Sequence, residues 1–559
     1  MKTRYLFLYS LLLALHQPLM AQISAKELAQ EADKYFEKTT NNTSPGSAIV
    51  VVKDGKVVLN KGYGLANLAH KTPITSHTVF DIASVSKQFA AFAISMLVEQ
   101  KKIALNDDVR KYIPELANFG HTITIDHLVH HTSGIRDWTS TLPLSGVQFD
   151  DVISFDQILR MTYHQKALNF VPGSEYSYSN AGYNLLVEVI QRVTKQPFRQ
   201  WTDQHIFKPL GMTQTHFSDN YSEVIAHQAL SYSRNESKKY QVSTNQLTAL
   251  GSSSLHTTTT DMAKWLINLD NPKVGGKAVV KRMFQTGKLN NGKESSYAFG
   301  LNVGKAWGAK LAEHSGSWAA FDTYMIYFPE HHLSVAVFSN CYARSWRPAQ
   351  KIAKWYIKGV KPSAKKPKTA TKASKATEKS IALSNEQLDQ YVGIYRFGAG
   401  WYVTITREGN QLMTQATNED KFPMTATAPG VFWIPAYRSS MDFKSDAKGK
   451  INRLIYRNKV RLKMKAVPPL TSKRLANFVG RYWSEELQTT YEVMQQDGKL
   501  YLSHFRNGRF ELAQAWNEDF VSSKWFLNSI QFDRSPQGKV TGFRVTNHRA
   551  RNQRFVKVK

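Results

Sequence analysis

Cysteine is almost missing from this 559-residue chain. Cys341 stands alone, which excludes an internal disulfide framework and a thiolate metal cluster. No sequence context marks it as a nucleophile, and a small buried residue is the expected reading. Acidic residues are also scarce, 43 Asp+Glu against 73 Lys+Arg, for a net charge of +30. That excess is spread as +11 over 1–360, +6 over 361–380 and +13 over 381–559, so no single face collects it. A nucleic-acid partner is therefore not expected. The two readings that stay open are weak contact with an anionic cell-envelope polymer and a basic surface that is simply solvated. No apolar run reaches the 18 or more residues of a transmembrane span. His127, His130 and His131 crowd one segment without carboxylates at metal-ligand spacing, so no metal site is expected there. Neither a Gly-x-Ser-x-Gly elbow nor a phosphate-binding glycine loop occurs, and no cofactor is expected.

What the chain does contain is core material: 42% hydrophobic and 21% charged residues, enough for several globular domains. Lys2 and Arg4 precede an apolar stretch from Tyr5 to Leu15, and Leu19-Met20-Ala21 offers a small-residue cleavage site. Residues 1–21 read as a signal peptide, which places the mature protein in a periplasm or outside the cell. Residues 361–380 hold seven Lys and one Glu among Ala, Thr, Ser and Pro. With no aromatic side chain they cannot offset the entropy of ordering, so they read as a flexible linker.

Beyond the linker the chain repeats itself. Leu388 to Tyr395 recurs as Leu475 to Tyr482, and Tyr402, Gly409 and Phe443 recur as Tyr491, Gly498 and Phe532. Each copy is a series of short alternating segments broken by Gly, Asn and Asp, the pattern of a small up-and-down β-barrel. Two tandem all-β domains, 381–468 and 469–559, are expected.

Residues 22–360 mix periods. Ser47–Lys53 and Lys56–Asn60 flank Asp54-Gly55, a hairpin with a type I′ turn. A second group of strands is expected at Tyr297–Val303, Ala309–Glu313, Tyr324–Phe328 and Leu333–Phe338. After it, Trp346–Tyr356 forms an amphipathic helix with Ala349, Ile352 and Ala353 on its apolar face. Strands from both ends closing one sheet around a helical insertion give an α/β fold.

The candidate nucleophile is Ser84, in Ala83-Ser84-Val85-Ser86-Lys87. The residues after it, Phe89 to Val98, are nearly all apolar, so Ser84 heads a helix buried on every side. Lys87 projects from the same face three residues on. A desolvated amine loses its proton more readily, and the neutral form can take the hydroxyl proton of Ser84. Ser-x-x-Lys also occurs at Ser363 and Ser445, where nothing would desolvate the lysine. Two further clusters join the first. Tyr178-Ser179-Asn180 opens a helix over 181–193, and His314-Ser315-Gly316-Ser317 ends a strand with small residues that allow close backbone approach.

In this order, Ser84-x-x-Lys87, Tyr178-x-Asn180 and the strand motif at His314 resemble the serine β-lactamase and penicillin-binding-protein superfamily. The nearer likeness is its class C-like branch, peptidase family S12. His131-Thr-Ser-Gly134, Pro209-Leu-Gly-Met212 and Leu255-His-Thr-Thr258 also look like that branch, and the two C-terminal barrels resemble its D-aminopeptidases. The likeness implies a β-lactamase-like antiparallel sheet with a helical insertion, followed by two lipocalin-like barrels. It further implies that Ser84 forms an acyl-enzyme, with Lys87 and Tyr178 as a coupled acid–base pair. Asn180, His314, Ser315 and Gly316 would hold the substrate, and the backbone N–H groups of Ser84 and Ser317 would form the oxyanion hole.

The departure is His314-Ser315-Gly316 in place of Lys-Thr-Gly. Histidine lacks the permanent charge that binds a penicillin or C-terminal carboxylate, so poor β-lactam hydrolysis and poor carboxypeptidase activity are expected. A pH limb at the protonation of His314 is expected too. The function implied is an exported serine hydrolase acting on small amides or peptides containing D-amino acids. A carboxylesterase with the same machinery and a non-catalytic envelope protein are the alternatives. The likeness leaves the barrels two roles, reaching the active site with a loop or only packing against the catalytic domain or a second subunit of a homodimer.

Overall fold

The computed structural model describes residues 23–358, 380–398, 400–417, 419–457, 459–465 and 468–558. The signal peptide read at 1–21 and the linker read at 361–380, save its last residue, lie outside the described residues. Helix α1 (Ala25–Phe36) leads into β1 (Ser47–Lys53) and β2 (Lys56–Tyr63). The turn between these strands has φ of 51° at Asp54 and 70° at Gly55, as a type I′ hairpin requires. The long insertion carries α2 (Lys87–Glu99), α3 (Asn180–Thr194) and α4 (Thr259–Asp270). Strands β3 (Asn302–Ala306), β4 (Ala309–Trp318), β5 (Phe321–Phe328) and β6 (Leu333–Ser339) follow, and α5 (Trp346–Lys358) closes the unit.

These strands form one sheet in the order β3-β4-β5-β6-β1-β2, and every pairing in it is antiparallel. The two ends of the segment meet where Ser47 pairs with Ser339. The unbroken apolar run of β1 follows from burial on both faces. Ile49 and Val51 pack with Leu28, Ile352 and Ala353 under α1 and α5, while Ala48, Val50 and Val52 join the core beneath the helical insertion. One expectation is corrected. Residues 297–301 are not strand; β3 begins at Asn302. Tyr297, Ala298, Phe299 and Leu301 are all buried, so the apolar run alone does not tell a buried loop from a buried strand. Gly300, at φ 73°, brings this loop against the backbone of Lys87 and Gln88, where a Cβ would come within 2.7 Å.

The C-terminal repeat folds as two closed eight-stranded antiparallel barrels. The first runs from β7 (Gly393–Gly398) to β14 (Lys459–Met464), the second from β15 (Gly480–Ser484) through β21 (Val540–Thr546) to β22 (Gln553–Val558). Matching positions do matching work: Tyr395 and Tyr482 each donate a hydroxyl hydrogen bond to the carbonyl four residues earlier, at Tyr391 and Phe478.

The second barrel is docked on the helical insertion. Leu144, fully buried, belongs to the barrel's own core cluster with Tyr491 and Phe543, and Tyr491 donates to its carbonyl. Beside it, Arg136 Nη1 donates to both carboxylate oxygens of Glu486 at 2.6 and 2.7 Å, with both side chains buried. Closing the sheets into barrels leaves no edge strand for this contact, so side chains and loops make it.

A buried charge without its partner is expensive. Glu486→Gln in the full chain should lower stability by about 3–5 kcal/mol in chemical denaturation. Replacing both residues with apolar ones, Arg136→Met with Glu486→Leu, should recover much of it. A loss below about 1 kcal/mol for Glu486→Gln would mean that water reaches the pair.

Candidate active site

Ser84 sits on a 3-10 turn, Ala83–Ser86, that runs directly into α2. The turn is held from three sides. Ala83, at φ 47°, donates its N–H to Asp81 Oδ1 at 2.8 Å. Thr323 of β5 donates to the Ile82 carbonyl, and Leu255 N–H donates to Ser86 Oγ. Strand β4 passes close by because residue 316 is glycine: a Cβ there would lie 2.4 Å from the Ile82 carbonyl oxygen and 3.0 Å from the Ser84 nitrogen. The backbone beside Ser317 is thereby brought up to the Ser84 amide. Ser315 and Ser317 face solvent, while His314 and Gly316 are buried.

Lys87 is wholly buried. Its Nζ lies 2.7 Å from Asn180 Oδ1, 2.7 Å from the Ser252 carbonyl oxygen and 3.1 Å from Ser84 Oγ. Desolvation pushes its pKa well below the ordinary lysine value, with Asp137 opposing the shift and Arg549 adding to it. A neutral amine has two N–H donors and one lone pair. Two carbonyl oxygens and one hydroxyl surround Nζ: the ammonium donates to all three, while the neutral amine donates to the two carbonyls and can accept from Ser84 Oγ–H through its lone pair.

Tyr178 places its ring under Lys87, with Nζ 4.8 Å from the centroid. Its hydroxyl is buried without a partner in hydrogen-bonding geometry. Burial raises its pKa, opposed by the nearby Ser84 hydroxyl. The lysine and the phenol are thus shifted in opposite directions, the arrangement in which one group can take up a proton while the other retains its own. Asn180, the first residue of α3, is fully engaged. Its Oδ1 accepts from Lys87, and its Nδ2 donates to Asp137 Oδ1 and Oδ2 at 3.1 Å each.

His314 lines the cavity but is held inward by both nitrogens. Nε2 lies 2.9 Å from the Tyr297 hydroxyl and Nδ1 2.7 Å from the Ser315 carbonyl oxygen, the pattern of a neutral Nδ1–H tautomer. Burial, then the neighbouring Lys87, pushes its pKa down to about 3. The expected pH limb at His314 is accordingly displaced out of the neutral range.

Three residues here were not assigned to the site from sequence. His131 packs its ring 4.2 Å from that of Tyr178 and 4.4 Å from that of Tyr297, and its Nδ1 accepts from Ser179 N–H. Its signals were the crowding with His127 and His130 and the His131-Thr-Ser-Gly134 run, and Asp137 follows that run by three residues. Arg549 had no signal at all. It comes from the loop between β21 and β22, donates to Asp137 Oδ2 at 2.9 Å, and lies 4.8 Å from the Tyr178 ring centroid. The other two histidines stand apart: His130 pairs with Asp126 at 3.1 Å, a carboxylate the spacing did not bring out. Among the described residues no three potential metal ligands converge. Cys341 is only partly buried, lining a separate cavity, and its thiol is pushed up to about 11 by burial.

Ser84 opens into a cavity of about 1050 Å³. Its walls are aromatic, with Trp138, Phe149, Tyr176 and Trp318 from the first domain and Trp525 from the second barrel. His548 and Arg549 also reach it from that barrel, and no Asp or Glu is among its described lining residues.

Residues 28–353 match the Beta-lactamase family. The chain is 32% identical over 305 residues to "Protein flp" of Staphylococcus aureus (strain MRSA252), covering 53% of this chain and 59% of that one. To a "D-aminopeptidase" of Gluconobacter oxydans (strain 621H) it is 26% identical over 296 residues, covering 53% and 56%. It thus spans less than two thirds of these relatives. Among solved structures, an octameric penicillin-binding protein homologue from Pyrococcus abyssi shares the fold, with a TM-score of 0.55 at 22% identity over 79% of this chain and all of that one.

Two outcomes follow from this geometry. Gly316→Ala forces β4 away from the Ser84 turn, and should cost about 1–3 kcal/mol in denaturant melts while slowing any reaction at Ser84. For His314, the unfolded imidazole takes up its proton near 6.5 while the folded one resists until about 3. Its neutral form therefore contributes stability that is whole above 6.5 and is lost as pH falls toward 3. His314→Asn should flatten that acid slope in melts from pH 8 to 4 and remove no limb from the neutral part of a rate profile.

Proposed function

The chain belongs to the Beta-lactamase family of serine hydrolases, and from that premise we propose that it is an exported hydrolase working through a Ser84 acyl-enzyme. The observation that carries this reading is the set of partners around Lys87 Nζ, which suits a neutral amine poised on Ser84 Oγ. In the first step Lys87 takes the proton as Ser84 attacks a carbonyl carbon, and the backbone N–H groups of Ser84 and Ser317 receive the developing oxyanion. Tyr178 gives its proton to the leaving group and recovers one from the Lys87 ammonium, which returns Lys87 to the neutral amine. Lys87 then activates the water that releases the acyl group. Asn180 and Asp137 hold Lys87 in place, and the walls of the cavity bind the acyl and leaving groups.

We assign it small amides or peptides containing D-amino acids as substrates, in a periplasm or outside the cell, after removal of residues 1–21. Its likeness to a D-aminopeptidase supports that class. One observation favours the second reading, a carboxylesterase: the cavity is aromatic and offers no described carboxylate to a substrate ammonium group. Matched D-alanyl anilides and short-chain esters separate the two by their kcat/KM.

Intact mass after brief exposure to a fluorophosphonate should show a single adduct on the wild type and none on Ser84→Ala. No adduct on folded wild-type protein would remove the hydrolase reading. Cephalosporin turnover should stay far below that of a dedicated β-lactamase, because neutral His314 offers the substrate carboxylate no charge.

A further inference from the structure

The second barrel delivers a guanidinium to the innermost polar layer of the site. Asp137 is wholly buried, and each of its partners donates to it: Asn180 N and Nδ2, Thr139 N and Oγ1, and Arg549 Nη1. That is the surrounding of a carboxylate, and Arg549 is the cation paired with it. From Asp137 the contacts run through Asn180 to Lys87 and on to Ser84. The loop carrying Arg549 is pinned. Its own carbonyl accepts from Asp137 N–H and Asn169 Nδ2, Asn547 Nδ2 donates to the Ser140 carbonyl, and Arg136 Nε donates to the Arg551 carbonyl.

We propose that Arg549 is a positioning residue of the catalytic centre: it cancels the buried Asp137 carboxylate beside the Asn180–Lys87–Ser84 contacts, so that the reactivity of Ser84 depends on the docked second barrel. This rests on the acyl-enzyme reading above. The histidine and tyrosine side chains around Lys87 carry no charge near neutral pH. The imidazoles of His131 and His314, and of His548 beside Arg549, are held below their ordinary range by burial. Burial likewise holds the phenols of Tyr176, Tyr178, Tyr183 and Tyr297 above theirs. Desolvation is the larger influence on Lys87, and Asp137 and Arg549 are the charges that act on it in addition, one favouring the ammonium and the other opposing it. Without Arg549, Asp137 faces Lys87 uncompensated and Lys87 holds its proton. Without Asp137, the opposite follows.

The test is the second-order rate of fluorophosphonate labelling of Ser84 between pH 5 and 9, read by intact mass on the full chain. Arg549 is 32% exposed, so solvent screens part of its effect. Arg549→Met should move the acid limb up by about one pH unit and slow labelling at neutral pH about tenfold. Asp137→Asn should move the limb down, the double variant should return it close to wild type, and Arg549→Lys should keep most of the wild-type profile. The Asp137→Asn arm reads the same coupling from the other side and does not need Arg549→Met to fold. Limbs that stay in place, or variants that slow labelling equally at every pH, would overturn the proposal and leave Arg549 a docking residue. Wild-type protein that takes no label would instead overturn the acyl-enzyme reading beneath it.

Discussion

An amine with no access to water is the constraint around which the rest of this molecule is arranged. Lys87 is buried at the start of a helix whose every face is packed. Desolvation of that kind disfavours the ammonium, and a fold tolerates it only if the neutral amine finds partners for two N–H groups and a lone pair. Asn180, Ser252 and Ser84 are those partners. The packing that holds α2 in the core thus also sets an amine, held well below its ordinary pKa, next to the Ser84 hydroxyl.

The strand beside that amine shows the same economy. Gly316 has no side chain because the Ile82 carbonyl and the Ser84 amide occupy the space, and the close approach sets the backbone of β4 against Ser84. His314, two residues earlier, turns inward to Tyr297 and does not present a charge to the cavity. A residue that marks the motif in sequence therefore acts in the structure as a neutral part of the wall.

The C-terminal barrels enter this picture unequally. The second is tied to the helical insertion by Leu144, by the buried Arg136–Glu486 pair and by the loop that carries Arg549. Side chains of that loop and of Trp525 line the cavity, so the catalytic domain and the barrel share one site. Of the two roles that the sequence left to the barrels, reaching the active site is the one this barrel has in the fold.

Local pattern determined a good part of this protein. The hairpin at Asp54-Gly55, the all-round apolar helix behind Ser84, the doubled β-repeat and the placing of Ser84, Lys87, Tyr178 and Asn180 were all legible, because turn preference, helix periodicity and motif spacing act over a few residues. The strand read at 297–301 was not, since a loop buried on all sides carries the same apolar residues as a strand. Nor was the inward turn of His314, which depends on a tyrosine brought to it from another loop. Asp137 and Arg549 were decided by the tertiary structure alone. Their partnership joins positions 412 residues apart, across a domain contact. No spacing along the chain encodes it, because the water-poor surroundings that strengthen the attraction between the two charges exist only once the barrel has docked.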